Sequence, residues 1–149
     1  MSTATFDPMK YKETTREQWQ TAAKAWNEYG GLLRRWLGPA TEVMLDMAGV
    51  QRGSRVLDVA AGAGDQSLQA AERVGPGGRV LATDIAPRIL EFAAANARAA
   101  GLALDTQVMD GESIDVPAAS FDAVISRVGL IYFPDQQRAL AGMRRALRP

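Results

Sequence analysis

From residue 55 onward, short apolar runs rich in β-branched residues alternate with stretches of helical character. Such runs lack the polar alternation of a half-exposed sheet, and parallel strands need crossover connections long enough to hold a helix. The pattern therefore predicts an α/β fold with a parallel, Rossmann-like sheet and helices on both faces. Strands are expected at 55–59, 79–83, about 104–109 and 122–126, in the order 3-2-1-4. The first crossover helix covers about 65–74 and closes at Gly75-Pro76-Gly77-Gly78. The second opens at Pro87, a favourable first helical residue, and ends at Gly101. Pro134 is expected to open a last helix that runs into Arg148-Pro149. A β-α unit whose next strand is missing reads as truncated, and strand four, with Val124, Ile125 and Val128 in an apolar run, reads as an open edge that invites self-association.

Residues 1–50 differ in kind. They hold all the lysines (Lys10, Lys12, Lys24) and all the tryptophans (Trp19, Trp26, Trp36), and no convincing strand. Thr15 followed by Gln18 resembles a capping box, after which Trp19, Ala22, Ala23 and Trp26 share one face until Gly30-Gly31. A second helix, about 32–37, should stop at Gly38-Pro39, and a third, about 40–48, carries Val43, Met44 and Met47 and ends at Gly49. The segment reads as a helical preamble or lid ahead of a cofactor-binding part at 51–149. Tyr11, Trp26 and Tyr29 are candidates to touch a ligand, although Trp19 and Trp26 are more economically the buried stripe of an amphipathic helix.

Composition removes much chemistry. The 149 residues suit one folding unit, and 17 Lys plus Arg balance 17 Asp plus Glu, which argues against nucleic acid held by phosphate neutralisation. Neither cysteine nor histidine occurs, so disulfides, thiolate sites, Ser-His-Asp triads and histidine-ligated metals are closed to the chain, and no metal site is expected. No apolar run approaches the ~18 residues of a membrane span and the start is polar, so a soluble cytoplasmic protein is expected. Carboxylates, tyrosine, lysine, arginine or a cofactor must supply any reactivity.

The loops after the strands indicate the cofactor route. Val56-Leu57-Asp58-Val59-Ala60-Ala61-Gly62-Ala63-Gly64-Asp65 is a buried strand turning through two glycines into a helix, at the carboxyl edge where open α/β sheets bind ligands. Asp84, at the end of strand two, can accept from ribose hydroxyls, with Ile85 beside it as an apolar face for a purine; otherwise it caps the next helix. Asp110-Gly111-Glu112 after strand three can accept from an exocyclic amine. Residues 99–126 carry no Lys or Arg, so a solvated acidic edge is the plainer account of Glu112 and Asp115. An adenosine ligand fits, which leaves a nicotinamide dinucleotide open. The dinucleotide fingerprint wants a small third residue where Ser67 stands, and Asp58 would oppose a pyrophosphate yet tolerate a cation. Asp58 can equally serve to accept from loop amides.

The segments VLDVAAGAGD, LATDIA, QVMDGESI and FDAVISRVGLIYFPDQQRALAGMRRALRP resemble, in order, the motifs of class I S-adenosylmethionine-dependent methyltransferases, particularly the ubiquinone/menaquinone C-methyltransferase-like branch, over about residues 15–149. The resemblance implies that the loop from Ala60 through Gly62 to Gly64 contacts the methionine part of S-adenosylmethionine, Asp84 the ribose and Ile85 the adenine. It implies that Asp110 takes the adenine amine, that Gly111 and Glu112 offer backbone at the base, and that Ser126 and Arg127 close the pocket beside sulfonium and acceptor. Ala60 stands where many members have glycine and Ala86 where many have a capping serine. The implied activity is methyl transfer to a small-molecule acceptor, quinone-like, phenolic or another metabolite, with no catalytic residue assigned and the 149-residue chain inactive alone for want of a complete acceptor pocket. The alternatives are a nicotinamide- or flavin-dependent oxidoreductase, and a silent domain that binds cofactor or a partner without turnover.

Overall fold

The computed structural model describes residues 5–149. Helix α1 spans Pro8–Glu28 and starts earlier than the Thr15 box suggests: Asp7 Oδ1 accepts from the amides of Met9 (3.0 Å) and Lys10 (3.1 Å), and Pro8 occupies the first turn. A carboxylate cap followed by a proline with preset φ outcompetes the hydroxyl of Thr15, which is buried within the helix instead. The first helix ends near Gly30-Gly31 as expected, and the same pair begins α2, Gly30–Met47. Gly38-Pro39 does not divide it, so the expected second and third helices are one. Packing outweighs the ladder bond lost at Pro39: Leu33, Thr41 and Leu45 are buried, Thr41 Oγ1 donates back to the Leu37 carbonyl (3.1 Å), and Arg73 of the next helix pairs with Glu42 and Asp46.

The strands are β1 (Arg55–Val59), β2 (Arg79–Asp84), β3 (Asp105–Val108) and β4 (Ala123–Ile125), all parallel, in the order β3-β2-β1-β4. Helices α3 (Asp65–Val74) and α4 (Pro87–Ala100) make the crossovers, and α5 (Gln136–Ala146) follows β4 after a short 3-10 turn, Leu130–Tyr132. Strands β3 and β4 are shorter than expected: Leu104 and Met109 leave the β3 ladder, whose four residues are all exposed, and Asp122 and Ser126 leave β4, with Val128 in the loop beyond it. Pro134 precedes the α5 cap rather than opening the helix, and Asp135 Oδ1 accepts from the Arg138 amide (2.9 Å).

Side chains of β1 divide between two cores. Val56 joins Leu45, Ala71, Val74 and Val80 under α2 and α3, whereas Leu57 and Val59 join Ile114, Phe121 and Met143 under α5. Each fully buried aliphatic side chain contributes about 1.5–3 kcal/mol. Helix α1 crosses the carboxyl edge of the sheet to pack Ala23 against Ala86 and Ile89 of the α4 region. After α5 the chain returns beside β4: Leu147 bridges Phe121, and the Arg148 amide donates to the Phe121 carbonyl (2.9 Å). The approach to β4 is thus already flanked by the chain's own backbone.

Candidate functional site

Where β1 ends, the backbone takes three left-handed residues in five: Ala60 (φ +59°), Gly62 (φ +60°) and Gly64 (φ +86°). The two glycines serve different ends. A Cβ on Gly64 would stand 2.8 Å from Ala93 Cβ, so that glycine lets α4 approach. Gly62 faces a cavity, where an added Cβ would meet only Trp26 Nε1 at 3.7 Å and Ile89 Cδ1 at 3.8 Å. Its amide donates to Asp84 Oδ2 (3.0 Å), while Asp84 Oδ1 accepts from the Ala86 amide (3.0 Å). One carboxylate therefore joins the loop after β1 to the start of α4. It accepts just ahead of α4, whose first-turn Arg88 amide donates to Gln20 Oε1 of α1 (2.8 Å), so Asp84 does not act as the helix cap; the same side chain lines the cavity. Burial raises the Asp84 pKa above the usual carboxylate value against the opposing backbone hydrogen bonds.

Asp58 is fully buried. Ser67 Oγ donates to its Oδ2 (2.5 Å) and Gln66 Nε2 lies 3.4 Å from Oδ1; burial pushes the carboxyl up to about 7 although these donors and Arg127 oppose the shift. It stands behind the cavity wall rather than in it, and Gln66 is the neighbour that reaches the lining. Ser67, weighed as an imperfect fingerprint residue, is the Asp58 partner.

The cavity holds about 220 Å³ above the carboxyl ends of the strands. Ala60, Ala61 and Gly62 of the β1 loop, Asp84 and Ile85 of the β2 loop, and Asp110 and Gly111 of the β3 loop form its floor, with Ile89 and Met109 between them. Gly111 is also required by packing, because a Cβ there would fall 2.3 Å from Phe133 Cζ. Arg127 lines the cavity and donates to Asp65 Oδ2 (2.6 Å) and Thr41 Oγ1 (2.8 Å). Gly64, Glu112 and Ser126 lie outside the lining. Ser126 Oγ is buried without a partner beneath Gly129. Glu112 is 6% exposed, which removes the solvated-edge account for it, whereas Asp115 is exposed.

The roof comes from the preamble: Lys12, Thr15, Trp19 and Trp26 of α1, Trp36 and Leu37 of α2, joined by Tyr132 and Phe133 after β4. Trp19 meets Trp26 edge-on at 5.1 Å and Tyr132 at 5.6 Å. Trp26 is 37% exposed at the cavity and so is not part of a buried stripe; Tyr11 and Tyr29 are exposed away from the lining. Sequence reasoning missed Lys12, Trp36, Gln66, Tyr132 and Phe133 as lining residues. The aromatic density of the first 36 residues was the available signal for the roof; for Lys12, whose partners lie near residue 110, there was no local one. Among the described residues no group of His, Cys, Asp or Glu is placed to hold a metal ion, and no helix is long and apolar enough to cross a membrane.

Comparison with known proteins decides the family, since a methyltransferase-domain family model matches residues 56–149. The chain belongs to the class I S-adenosylmethionine-dependent methyltransferases. It is similar to a nocamycin O-methyltransferase of Saccharothrix syringae, 38% identical over 112 residues that make up 74% of this chain and 40% of the relative. It is equally similar to a ubiquinone/menaquinone biosynthesis C-methyltransferase of Ralstonia pickettii, 38% over 120 residues, covering 80% of this chain and 48% of that one. The crystal structure of an arsenic(III) S-adenosylmethionine methyltransferase from Chlamydomonas reinhardtii matches with a TM-score of 0.62 at 35% identity, over 68% of this chain and 37% of the other. Membership sets aside the oxidoreductase alternative. The chain spans about half the length of the curated relatives it matches.

Proposed function

We propose that the cavity holds S-adenosylmethionine, and that the whole protein transfers its methyl group to a small-molecule acceptor. The observation that carries this reading is the order of groups along consecutive strand ends: the Gly62 turn, the Asp84 carboxylate, the Ile85, Ile89 and Met109 surface, then the Asp110 carboxylate, all around one cavity. A turn without side chains suits the amino-acid part, a partly buried carboxylate suits a diol, an apolar surface suits a purine face, and a second carboxylate suits an exocyclic amine. Ala60, Gly62, Asp84, Ile85, Asp110 and Gly111 are the binding residues in this reading. Asp58, Gly64, Glu112 and Ser126 act through them, as positioning residues behind the wall.

The cofactor, when bound, supplies a methyl group already activated by its sulfonium, so the chain needs no nucleophile. Its own residues align and exclude water: Trp19, Trp26 and Trp36 cover the cavity, and Arg127, tied to Asp65, fixes the loop after β4. The aromatic roof favours a flat acceptor, quinone-like or phenolic. Self-association along Ala123–Ile125 of β4, beyond the Phe121 end that Leu147 and Arg148 flank, is part of this reading, and sedimentation of the 149-residue chain would detect it as a dimer.

Calorimetry with S-adenosylmethionine, S-adenosylhomocysteine and NAD tests the central claim. Tighter binding of either sulfur ligand is expected, and tighter binding of NAD would overturn it. Methyl transfer to quinones and phenols tests the acceptor class.

A further inference from the structure

Lys12 stands in the second turn of α1, on the helix face that also carries Thr15, Trp19 and Trp26. Its side chain is 15% exposed and reaches two carboxylates at once: Asp110 Oδ2 at 2.8 Å and Glu112 Oε2. Each carboxylate has already given its other oxygen to the backbone. Asp110 Oδ1 accepts from the Glu112 amide (2.9 Å), and Glu112 Oε1 accepts from the Asp135 amide (2.6 Å). Lys12 therefore holds the remaining oxygen of both. Burial works against its charge, yet the hydrogen bonds to Asp110 and Glu112 prevail and raise its pKa above the usual lysine value.

The two partners differ in access. Asp110 lines the cavity and its side chain is 28% exposed, whereas that of Glu112 is 4% exposed and outside the lining. An amine entering the cavity can displace Lys12 from Asp110 but cannot reach Glu112. After such an exchange Lys12 still has a buried counter-ion, so the chain is left with no unpaired buried charge.

We infer that Lys12 is a specificity-determining residue of the cofactor site, occupying the Asp110 oxygen until an exocyclic amine takes it and then remaining paired with Glu112. This rests on the cofactor reading given above. The ammonium is a donor, so with Lys12 in place the Asp110 end of the cavity also accepts a ligand that offers a carbonyl there. Without Lys12, the Asp110 carboxylate alone faces the ligand at that end and only a donor is accepted.

The test compares S-adenosylhomocysteine with its inosine counterpart, which carries a carbonyl in place of the amine, in the wild-type chain and in Lys12→Met, with binding followed by tryptophan fluorescence and calorimetry. The variant is expected to bind the adenosine form faster and tighter, and to raise the preference for adenosine over inosine about tenfold. In the wild type the inosine form should bind measurably, because the Lys12 ammonium donates to its carbonyl; this arm remains if the variant does not fold. An unchanged preference in a folded variant, or no binding of the inosine form by a wild type that binds the adenosine form, overturns the role of Lys12 alone. Failure of the wild type to bind either form overturns the cofactor reading and the inference with it.

Discussion

The floor and the roof of the cavity are built by opposite means. The floor is backbone: left-handed turns at Ala60 and Gly62, and amides of Gly62 and Ala86 gathered by one carboxylate, all set by residues next to strands paired in the order β3-β2-β1-β4. The roof is side chain: tryptophans meeting edge-on, one lysine reaching across to residues 110 and 112, and Gln20 Oε1 of α1 accepting from the Arg88 amide (2.8 Å). A floor of this kind should fail all at once when its geometry is disturbed. A roof of this kind should yield piece by piece, changing ligand affinity with little effect on the sheet.

The largest effect is expected in the floor. Gly64→Ala places a Cβ against Ala93 in a left-handed conformation, and urea unfolding should show a loss of about 2–4 kcal/mol. A neutral result would mean that α3 and α4 separate easily. The buried Asp58 comes next. With its carboxyl raised to about 7, folding is favoured while it is protonated, and that stability is lost as pH rises from the ordinary carboxylate range through 7. The change is on the order of 4 kcal/mol at most. Melting of Asp58→Asn should vary less with pH over the same window, and an unaltered profile would place the titration elsewhere.

Asp84→Ala should weaken binding of S-adenosylhomocysteine by about 1–3 kcal/mol in calorimetry, and should also lower the melting temperature because two amides lose their acceptor. Trp26→Ala marks the contrast with the roof. Affinity should fall by about 1 kcal/mol while unfolding changes little, since the ring is 37% exposed; an equal loss of stability would make the roof part of the core. The smallest expected effect is a gain. Ala60→Gly relieves a left-handed alanine and should stabilise by about 0.5–1 kcal/mol, less whatever the glycine adds to the freedom of the unfolded chain.

The same division explains what could be read from the sequence. Strands β1 and β2 are legible to within a residue because both are apolar runs bounded by glycine turns or a charged end. The positions Gly62, Asp84, Ile85 and Asp110 follow from strand ends, and all reach the cavity. Strand β3 is less legible, because its exposed residues carry no burial pattern and its limits depend on pairing with β2 alone. In the preamble the break near 30–31 holds, since α1 ends at Glu28 and α2 begins at Gly30, but the local breaker at 38–39 yields to tertiary packing, with Thr41, Leu45 and the Arg73 ion pairs keeping α2 whole. For Asp58 the sequence leaves open a charge beside a cationic ligand and an acceptor for loop amides; alternation along β1 turns it toward Ser67 and Gln66, where it is a buried acceptor of side-chain hydrogen bonds.

Val128 carries a consequence for anyone wishing to change the acceptor. It is a β-branched residue at φ +64°, 55% exposed at the rim of the cavity, a conformation that such side chains rarely adopt. The turn it makes lays Gly129 on the β1 loop so closely that a Cβ there would meet Ala60 Cβ at 2.7 Å and Ser126 Oγ at 2.5 Å. The exits of the two neighbouring strands are therefore keyed into each other like the wards of a lock. On the proposed reading, substitutions at 128 or 129 chosen to admit a new acceptor should move the Ala60 turn as well, so cofactor affinity and acceptor choice should change together.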